Sequence, residues 1–151
     1  MHTFSDILND MLVSVYHKVL RVEEEFLRNG IGAGLTIREM HMIEYIGKAG
    51  KQGRTLSATA DFLEVARPSV TVAVKKLVMK GFLVKTDCDQ DRRAVRVTLT
   101  REGRRIYMHH MRFHALMVRE LENEFCENEK NILLSAIEKL NVFFEKSASL
   151  T

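Results

Sequence analysis

The chain has 151 residues, a length that suits one domain or one protomer of a small oligomer. Hydrophobic residues make up 46% of it and charged residues 28%, a globular composition that excludes disordered, collagen-like and low-complexity proteins. The net charge of +3 conceals a basic centre: residues 51–105 carry 13 Lys and Arg against 6 Asp and Glu, whereas both flanking segments are slightly acidic.

The sequence has no pattern that would direct the chain to a membrane or across one. Its apolar runs are far shorter than the ~20 residues that a membrane-spanning helix needs, and its first residues do not have the pattern of a signal peptide. Two cysteines, Cys88 and Cys126, do not make a disulfide framework. We therefore expect a cytoplasmic protein that does not bind membranes.

The first third of the chain predicts two helices. Apolar residues spaced three and four apart indicate an amphipathic helix over about residues 4–28, which Asn29 and Gly30 end. Thr36 and Glu39 form a capping-box pattern that predicts a second helix to about Lys48. We expect that helix to turn these residues toward the core: Met40, Ile43, Ile46 and Gly47.

The basic centre predicts two further helices joined by a short turn. The first covers about residues 57–63, and Pro68 stands where the second begins, because its missing N–H has no helical partner there. Gly81 ends the second helix. Its predicted buried residues are Val70, Ala73, Val74, Leu77 and Val78.

After Gly81 the spacing of apolar residues changes from the helical period to the alternation typical of strands. Residues 82–85 and 95–99 predict two strands of a hairpin around a charged tip at residues 87–93. Thr100 is the expected N-cap of a long helix to about residue 125, and a last helix covers about residues 128–146. We expect that last helix to bury Ile132, Leu133, Ala136, Ile137, Leu140, Phe143 and Phe144.

This order of elements predicts a mainly helical α+β fold with a small β-wing, a winged helix-turn-helix. The segment 65–86 has five basic residues and no acidic one, as a surface that binds a polyanion would. A helix fits the ~12 Å major groove of DNA, and Asp91 can orient a neighbouring guanidinium. A merely solubilising basic surface is the alternative. The candidate DNA-binding residues are Arg67, Ser69, Thr71, Lys75, Lys76, Asp91, Arg92 and Arg93.

Three motifs resemble the MarR family of dimeric winged-helix regulators. They are Lys80-Gly81-Phe82-Leu83, Asp89-Gln90-Asp91-Arg92-Arg93 and Leu99-Thr100-Arg101-Glu102-Gly103, in the family's order and spacing. The resemblance implies that Arg93 enters the minor groove, supported by Asp91 and Arg92, and that Ser69, Thr71, Lys75 and Lys76 face the major groove. Three positions depart from the family pattern: Val72 where many members carry Arg, Glu64 in place of the usual turn glycine, and Ala66 in place of a polar cap.

The terminal helices predict a homodimer. Their apolar stripes offer more surface than one small winged domain can cover, and pairing two chains would remove it from water. We therefore divide the single chain 1–151 into an N-terminal dimerisation helix (1–34), the winged helix-turn-helix (35–100) and C-terminal dimerisation helices (101–151); the resemblance implies the same arrangement. Two-fold symmetry requires a pseudo-palindromic operator with half-sites ~34–36 Å apart.

The histidines leave the identity of the effector undecided. His110 and His114 are one helical turn apart, and with His41 and Glu24 they offer ligand types that suit zinc, as in a zinc-responsive repressor. The alternative is that these histidines only form hydrogen bonds between helices or across a dimer. No CxxC or HExxH pattern accompanies them.

A closer resemblance favours a lipid effector and no cofactor. The segments 39–44 and 113–118, with His110, are similar to the fatty-acid-biosynthesis repressors of Gram-positive bacteria, the FabT-like branch of the family. The resemblance implies a long acyl chain on acyl carrier protein as co-repressor. Flexible methionines can line a pocket for such a chain, although methionines at this spacing are also common in plain cores. The candidate effector pocket is Met40, His41, His110, Met111 and His114.

Other functional classes find less support. The sequence has no Gly-rich phosphate loop, no G-x-S-x-G and no convincing carboxylate pair, so we do not expect an enzyme. A structural adaptor that uses the terminal helices remains an alternative, and nothing near Cys88 predicts the low thiol pKa of a redox sensor. The predicted function is a homodimeric, DNA-binding transcriptional repressor, with fatty-acid synthesis genes as its targets.

Overall fold

The computed structural model describes residues 3–32, 34–87 and 95–148 and divides into two compact units, residues 1–110 and 111–151. Helices and a small sheet alternate as the sequence predicts. In chain order the elements are α1 (Phe4–Asn29), α2 (Ile37–Lys48), a short 3₁₀ turn (Gly50–Gln52), β1 (Arg54–Thr55), α3 (Leu56–Leu63), α4 (Arg67–Met79), β2 (Leu83–Asp87), β3 (Val95–Leu99), α5 (Arg101–Asn123) and α6 (Glu127–Ala148).

Side-chain caps fix where the helices begin. Thr36 accepts a hydrogen bond from the backbone N–H of Glu39 at 3.2 Å, and the Glu39 carboxylate accepts one from the Thr36 N–H at 2.9 Å. This reciprocal pair is the predicted capping box, and it satisfies two backbone donors that the helix itself leaves free. Thr100 caps α5 in a similar way, accepting from the backbone N–H of Gly103 at 3.0 Å.

The motif around Thr100 also joins α5 to the end of α4. The Thr100 hydroxyl donates to the Gly81 carbonyl at 2.6 Å, and the Thr100 N–H donates to the Phe82 carbonyl at 3.0 Å. A Cβ on Gly103 would collide with the Phe82 carbonyl oxygen, so only glycine permits this approach. The motif Leu99–Gly103 is therefore a structural joint between the helix-turn-helix, the wing and α5.

The sheet has three antiparallel strands in the order β1-β3-β2. The predicted hairpin is present, with Leu83 opposite Leu99 and Lys85 opposite Val97. The two-residue strand β1 pairs with β3 and was not predicted. Leu83, Val97 and Leu99 are buried, so one face of the sheet packs on the helices.

The core of the first unit lies between α2, α3, α4, the sheet and the ends of α1 and α5. All four α2 residues that the sequence assigns to the core are buried, as are Val70, Val74 and Leu77 of α4. Ala73 and Val78 are half-buried against them. The completely buried side chains include Met40, Ile43, Ile46, Val70, Val74, Leu77 and Val97.

The apolar faces of the terminal helices are exposed in the single chain. On α6 the residues predicted to be buried are largely accessible; Ile132 and Phe143, for example, each have 61% of their surface exposed. On α1 the same holds for Phe4 and Met11. Within one chain α6 therefore does not bury these residues, contrary to the burial expected of the helix itself, and their coverage by a second chain stays a prediction. Among the described residues, no helix combines the length and the apolar character that crossing a membrane requires.

Candidate nucleic-acid interface

A residue in the left-handed conformation makes the turn between α3 and α4. Glu64 ends α3 in the left-handed conformation, with φ 52° and ψ 42°, and it is the only non-glycine residue with positive φ among the described residues. The Val65 N–H then returns to the Ala60 carbonyl at 3.1 Å. This geometry is usually given to glycine, the residue that the resemblance implies at this position.

The α4 helix starts one residue earlier than predicted. Arg67 is its first residue and Pro68 its second, and Ala66 stands at the N-cap without a side-chain hydrogen bond. The N–H of Ser69 instead reaches the Ala66 carbonyl at 2.9 Å. The first turn of α4 thus lacks the polar cap that begins most helices.

The predicted DNA-contacting residues of α4 are all exposed. Val70, Val74 and Leu77 fill the inner face, Arg67 is exposed at the first turn, and Ser69, Thr71, Lys75 and Lys76 are exposed further along the helix. The Thr71 hydroxyl donates to the Arg67 carbonyl at 3.1 Å, so its oxygen remains available as an acceptor. Two apolar residues, Val72 and Met79, also lie on the outward face, with 68% and 77% of their surface exposed.

Glu39 ties the recognition-helix candidate α4 to α2, a role that the sequence analysis missed. Its buried carboxylate accepts from Lys80 Nζ at 3.1 and 3.2 Å and lies 3.1 Å from Lys76 Nζ. Lys80 also donates to the Gly34 carbonyl at 2.8 Å. One carboxylate therefore caps α2 and holds two lysines of the α4 end.

The protonation of Glu39 reflects these contacts. Burial raises the pKa of its carboxyl, but the hydrogen bonds from the Thr36 N–H, Lys80 and Lys76 outweigh burial and lower the pKa below its ordinary value of 4.5. Glu39 is thus an anion at neutral pH. Lys76 keeps 56% of its side chain exposed and remains accessible to a second anion.

The wing is described only at its base. Strand β3 is anchored where Arg96 donates to the Gln52 carbonyl at 3.1 Å, and β3 pairs with β1 on one side and β2 on the other. The tip residues predicted to contact DNA, Asp91, Arg92 and Arg93, lie outside the described residues, as does Cys88.

The fold has close relatives among solved structures. FabT from Streptococcus pneumoniae, in its crystal structure with DNA, is 34% identical; the match has a TM-score of 0.90 and covers 94% of this chain and 98% of that one. A family model described as MarR family matches residues 33–94. The chain belongs to the MarR family. Members of this family are DNA-binding transcription regulators rather than enzymes, which confirms the predicted class.

More distant MarR-type structures share the fold. A MarR protein from Peptoclostridium difficile is 19% identical, with a TM-score of 0.75 over 96% of this chain and 91% of that one. Staphylococcus aureus MepR in its DNA complex is also 19% identical, with a TM-score of 0.68 over 94% of this chain and 98% of that one. At this identity both support the fold alone. No curated protein matches the chain significantly.

The histidines of this MarR-family chain lie beside carboxylates. In the first unit, His41 Nε2 is 3.6 Å from Glu23 Oε2, and His110 Nδ1 is 3.6 Å from Glu44 Oε2. Glu23 is buried, whereas Glu24, the carboxylate named in the zinc hypothesis, is exposed and borders a surface pocket with Leu27 and Arg28. The carboxylate beside His41 therefore belongs to Glu23, the residue that precedes the predicted Glu24.

The candidate effector residues have different surroundings. Met40 is part of the buried core, and His110 is almost completely buried, with the ring of Phe26 6.0 Å from its own. His41 is half-buried beside a groove of about 590 Å³ that Met42, Val65, Ser69 and Lys76 also line. Met111 and His114 belong to the second unit and are half-buried.

Proposed function

We propose that the chain is a homodimeric transcriptional repressor that binds a pseudo-palindromic operator. The observation that carries the DNA-binding surface is the exposed side of α4, where three cations and two hydroxyl side chains are accessible on a helix whose inner face is fully packed. An α-helix held in this way can enter the major groove without disturbing the core. Cations contribute affinity by neutralising phosphates, and the hydroxyl groups offer hydrogen bonds to base edges.

The apolar faces of α1 and α6 support the dimer. Each Å² of apolar surface removed from water contributes about 25 cal/mol, so an interface of ~1,600 Å² offers a large gross free energy against the cost of association. Two identical chains related by a two-fold axis present two α4 helices, and these match half-sites about one helical turn apart.

The first experiment asks whether the chain binds DNA through α4. Duplexes selected from a random library would be titrated by fluorescence anisotropy at several salt concentrations. A protein that neutralises Z phosphates gives a log–log slope of about −0.9Z. Lys75→Ala should make that slope less negative by about 1 for each half-site bound. Lys139→Ala removes the same charge from the exposed surface of α6 and should leave the slope unchanged. A chain that selects no duplex and shows no salt-dependent binding would overturn the proposal.

We further propose that the regulated genes serve fatty-acid synthesis and that an acyl chain on acyl carrier protein is the co-repressor. The resemblance to the FabT-like branch supports this, together with the 34% identity to FabT over nearly the whole chain. Within the first unit, we propose that the acyl chain lies near the candidate effector residues His41 and His110. Met40 would act from the core behind them.

The co-repressor proposal predicts coupling between two ligands. Long-chain acyl carrier protein should raise operator affinity by about 5- to 150-fold, the usual range of allosteric coupling, whereas carrier protein without the acyl chain should not. Sequencing of DNA bound in cells would independently identify the regulated promoters. Equal operator affinity with and without the acyl chain would exclude this effector while leaving DNA binding intact.

Zinc is the second candidate effector, supported by the two histidine–carboxylate pairs. Two ligands of one tetrahedral zinc ion stand about 3.4 Å apart, close to the 3.6 Å between His41 and Glu23 and between His110 and Glu44. Within the first unit, the candidate zinc ligands would then be His41 and His110, with Glu23 in place of the predicted Glu24. Elemental analysis after dialysis should find stoichiometric zinc that His41→Ala removes; a metal-free protein would exclude the hypothesis.

A further inference from the structure

An apolar row runs along the outward face of α4. Pro68, Val72 and Met79 are spaced four and seven residues apart, with Lys75 between the last two, so these side chains follow one line along the helix. Val72 and Met79 are among the most exposed large hydrophobic residues of the described chain, at 68% and 77%. The row lies opposite the buried residues Val70, Val74 and Leu77.

An exposed valine at this position is not explained by the stability of the helix. Valine is a poorer helix former than alanine, lysine or arginine, and a side chain that remains 68% exposed gains little from burial within the chain. The neighbouring exposed side chains are cationic or polar: Lys75 and Lys76 toward the end of the helix, Ser69 and Arg67 at its start. The surface therefore combines an apolar centre with a basic surround.

Duplex DNA offers a matching surface. The phosphates that line the major groove complement the basic surround, and the C5-methyl group of thymine is the apolar group that this groove presents. An arginine at position 72 would instead reach guanine or a phosphate. A short, stiff valine cannot donate a hydrogen bond, but it can cover a methyl group and exclude water from it.

We propose that Val72 is a specificity-determining residue that contacts the 5-methyl group of a thymine in each half-site. This inference rests on the proposed DNA binding and adds a statement about which base is read. Lys75 and Lys76 contribute affinity through phosphates in this arrangement, and Val72 discriminates thymine from the other bases at one position.

The test removes the methyl group without changing base pairing. In a selected palindromic duplex, each thymine of a half-site is replaced in turn by deoxyuridine, together with its symmetry mate, and affinity is measured by fluorescence anisotropy. Burying one methyl group is worth about fourfold in affinity, so the sensitive thymine pair should cost about fifteenfold. Restoring an apolar substituent with 5-bromodeoxyuridine at the same positions should recover most of the loss.

Two variants assign the effect to Val72. Val72→Ala should weaken binding to the thymine duplex but show little further loss on the deoxyuridine duplex, because the apolar contact is already absent. Lys75→Ala is the matched control on the same face: its overall affinity is expected to fall, whereas its ratio between thymine and deoxyuridine duplexes should equal that of the parent.

The outcomes separate this inference from the proposed function. If the parent binds selected duplexes with a normal salt dependence but no deoxyuridine substitution weakens it, the thymine contact is wrong and DNA binding stands. If Val72→Ala retains the full deoxyuridine penalty, another residue reads the methyl group and the assignment to Val72 is wrong. If no duplex is selected at all, the proposed function itself fails.

Discussion

At the scale of single residues, Glu64 carries backbone strain at the centre of the helix-turn-helix. A side chain with a Cβ in the left-handed conformation costs on the order of 1–2 kcal/mol, and glycine avoids that cost but loses more chain entropy on folding. We predict that Glu64→Gly raises the free energy of unfolding by about 0.5–1 kcal/mol and Tm by about 2–4 °C. Thermal unfolding followed by circular dichroism measures the change in Tm. Glu64→Ala, which removes the charge and keeps the Cβ, should give no such gain; equal stabilisation would refute the strain argument.

Glu39 links a single protonation to the stability of the first unit. Because its pKa in the folded protein lies below the ordinary value of 4.5, the ionised carboxylate stabilises the fold above that pH, and this contribution is lost as pH falls through the folded pKa. Glu39→Gln should therefore lower the free energy of unfolding at pH 7 by about 1–3 kcal/mol. The difference from the parent should shrink below about pH 4.5.

Denaturant unfolding at a series of pH values tests the Glu39 prediction. Glu24→Gln makes the same chemical change at an exposed position in α1 and should be nearly neutral throughout. A Glu39→Gln deficit that stays constant from pH 7 to pH 4 would mean that the amide fails for reasons of packing rather than charge.

At the scale of elements, the start of α4 is open to improvement. Ala66 has the extended backbone of an N-cap, with φ −61° and ψ 139°, but no oxygen to offer. Because Pro68 has no N–H, a cap at position 66 can serve only the Ser69 N–H, which it would share with the Ala66 carbonyl that this N–H already reaches at 2.9 Å. Ala66→Ser should stabilise the protein by about 0.5–1 kcal/mol, measured as a shift of the denaturant midpoint. Ala66→Val adds volume without an acceptor; if it stabilises equally, capping is not the cause.

Signals between residues close in the sequence predicted most helices and strands. Contacts between residues far apart in the sequence could not be predicted. Thr36 and Glu39 are three residues apart, so their capping box could be recognised, and the spacing of Val70, Val74 and Leu77 marked the inner face of α4. Strand β1 has two residues and exists because Arg54 pairs with Val97 and Thr55 with Arg96 of β3, contacts between distant parts of the sequence that leave no periodic pattern.

The candidate site was likewise predicted only where the residues are close in the sequence. Helical spacing placed Ser69, Lys75 and Lys76 on one outward face, but it could not show that Lys76 and Lys80 converge on Glu39, about 40 residues away. The choice between Glu23 and Glu24 depends on one step of about 100° around α1. Only the packing of α1 on α2 decides that Glu23 is the residue that meets His41.

At the scale of the whole molecule, the chain separates its two kinds of surface. The positive charge is concentrated in residues 51–105, which include α4 and the wing, whereas the exposed apolar residues are frequent on α1 and α6. The proposed dimer uses both: the apolar surface joins two chains, and the joined chains offer two basic helices to one duplex. Binding of the second half-site then becomes intramolecular, which multiplies affinity without new contacts.

Phe143 tests this division of roles. A carboxylate at a buried apolar interface lacks a partner and is costly, so Phe143→Asp should convert a dimer of twice 17.4 kDa into a monomer, as measured by light scattering after size exclusion. Operator affinity should fall by about two orders of magnitude or more, while the weak affinity for a single half-site persists because α4 is unchanged. Ser135→Asp introduces the same charge on the polar face of α6 and should remain dimeric. A Phe143→Asp protein that stays dimeric and binds its operator normally would show that α6 does not form the interface.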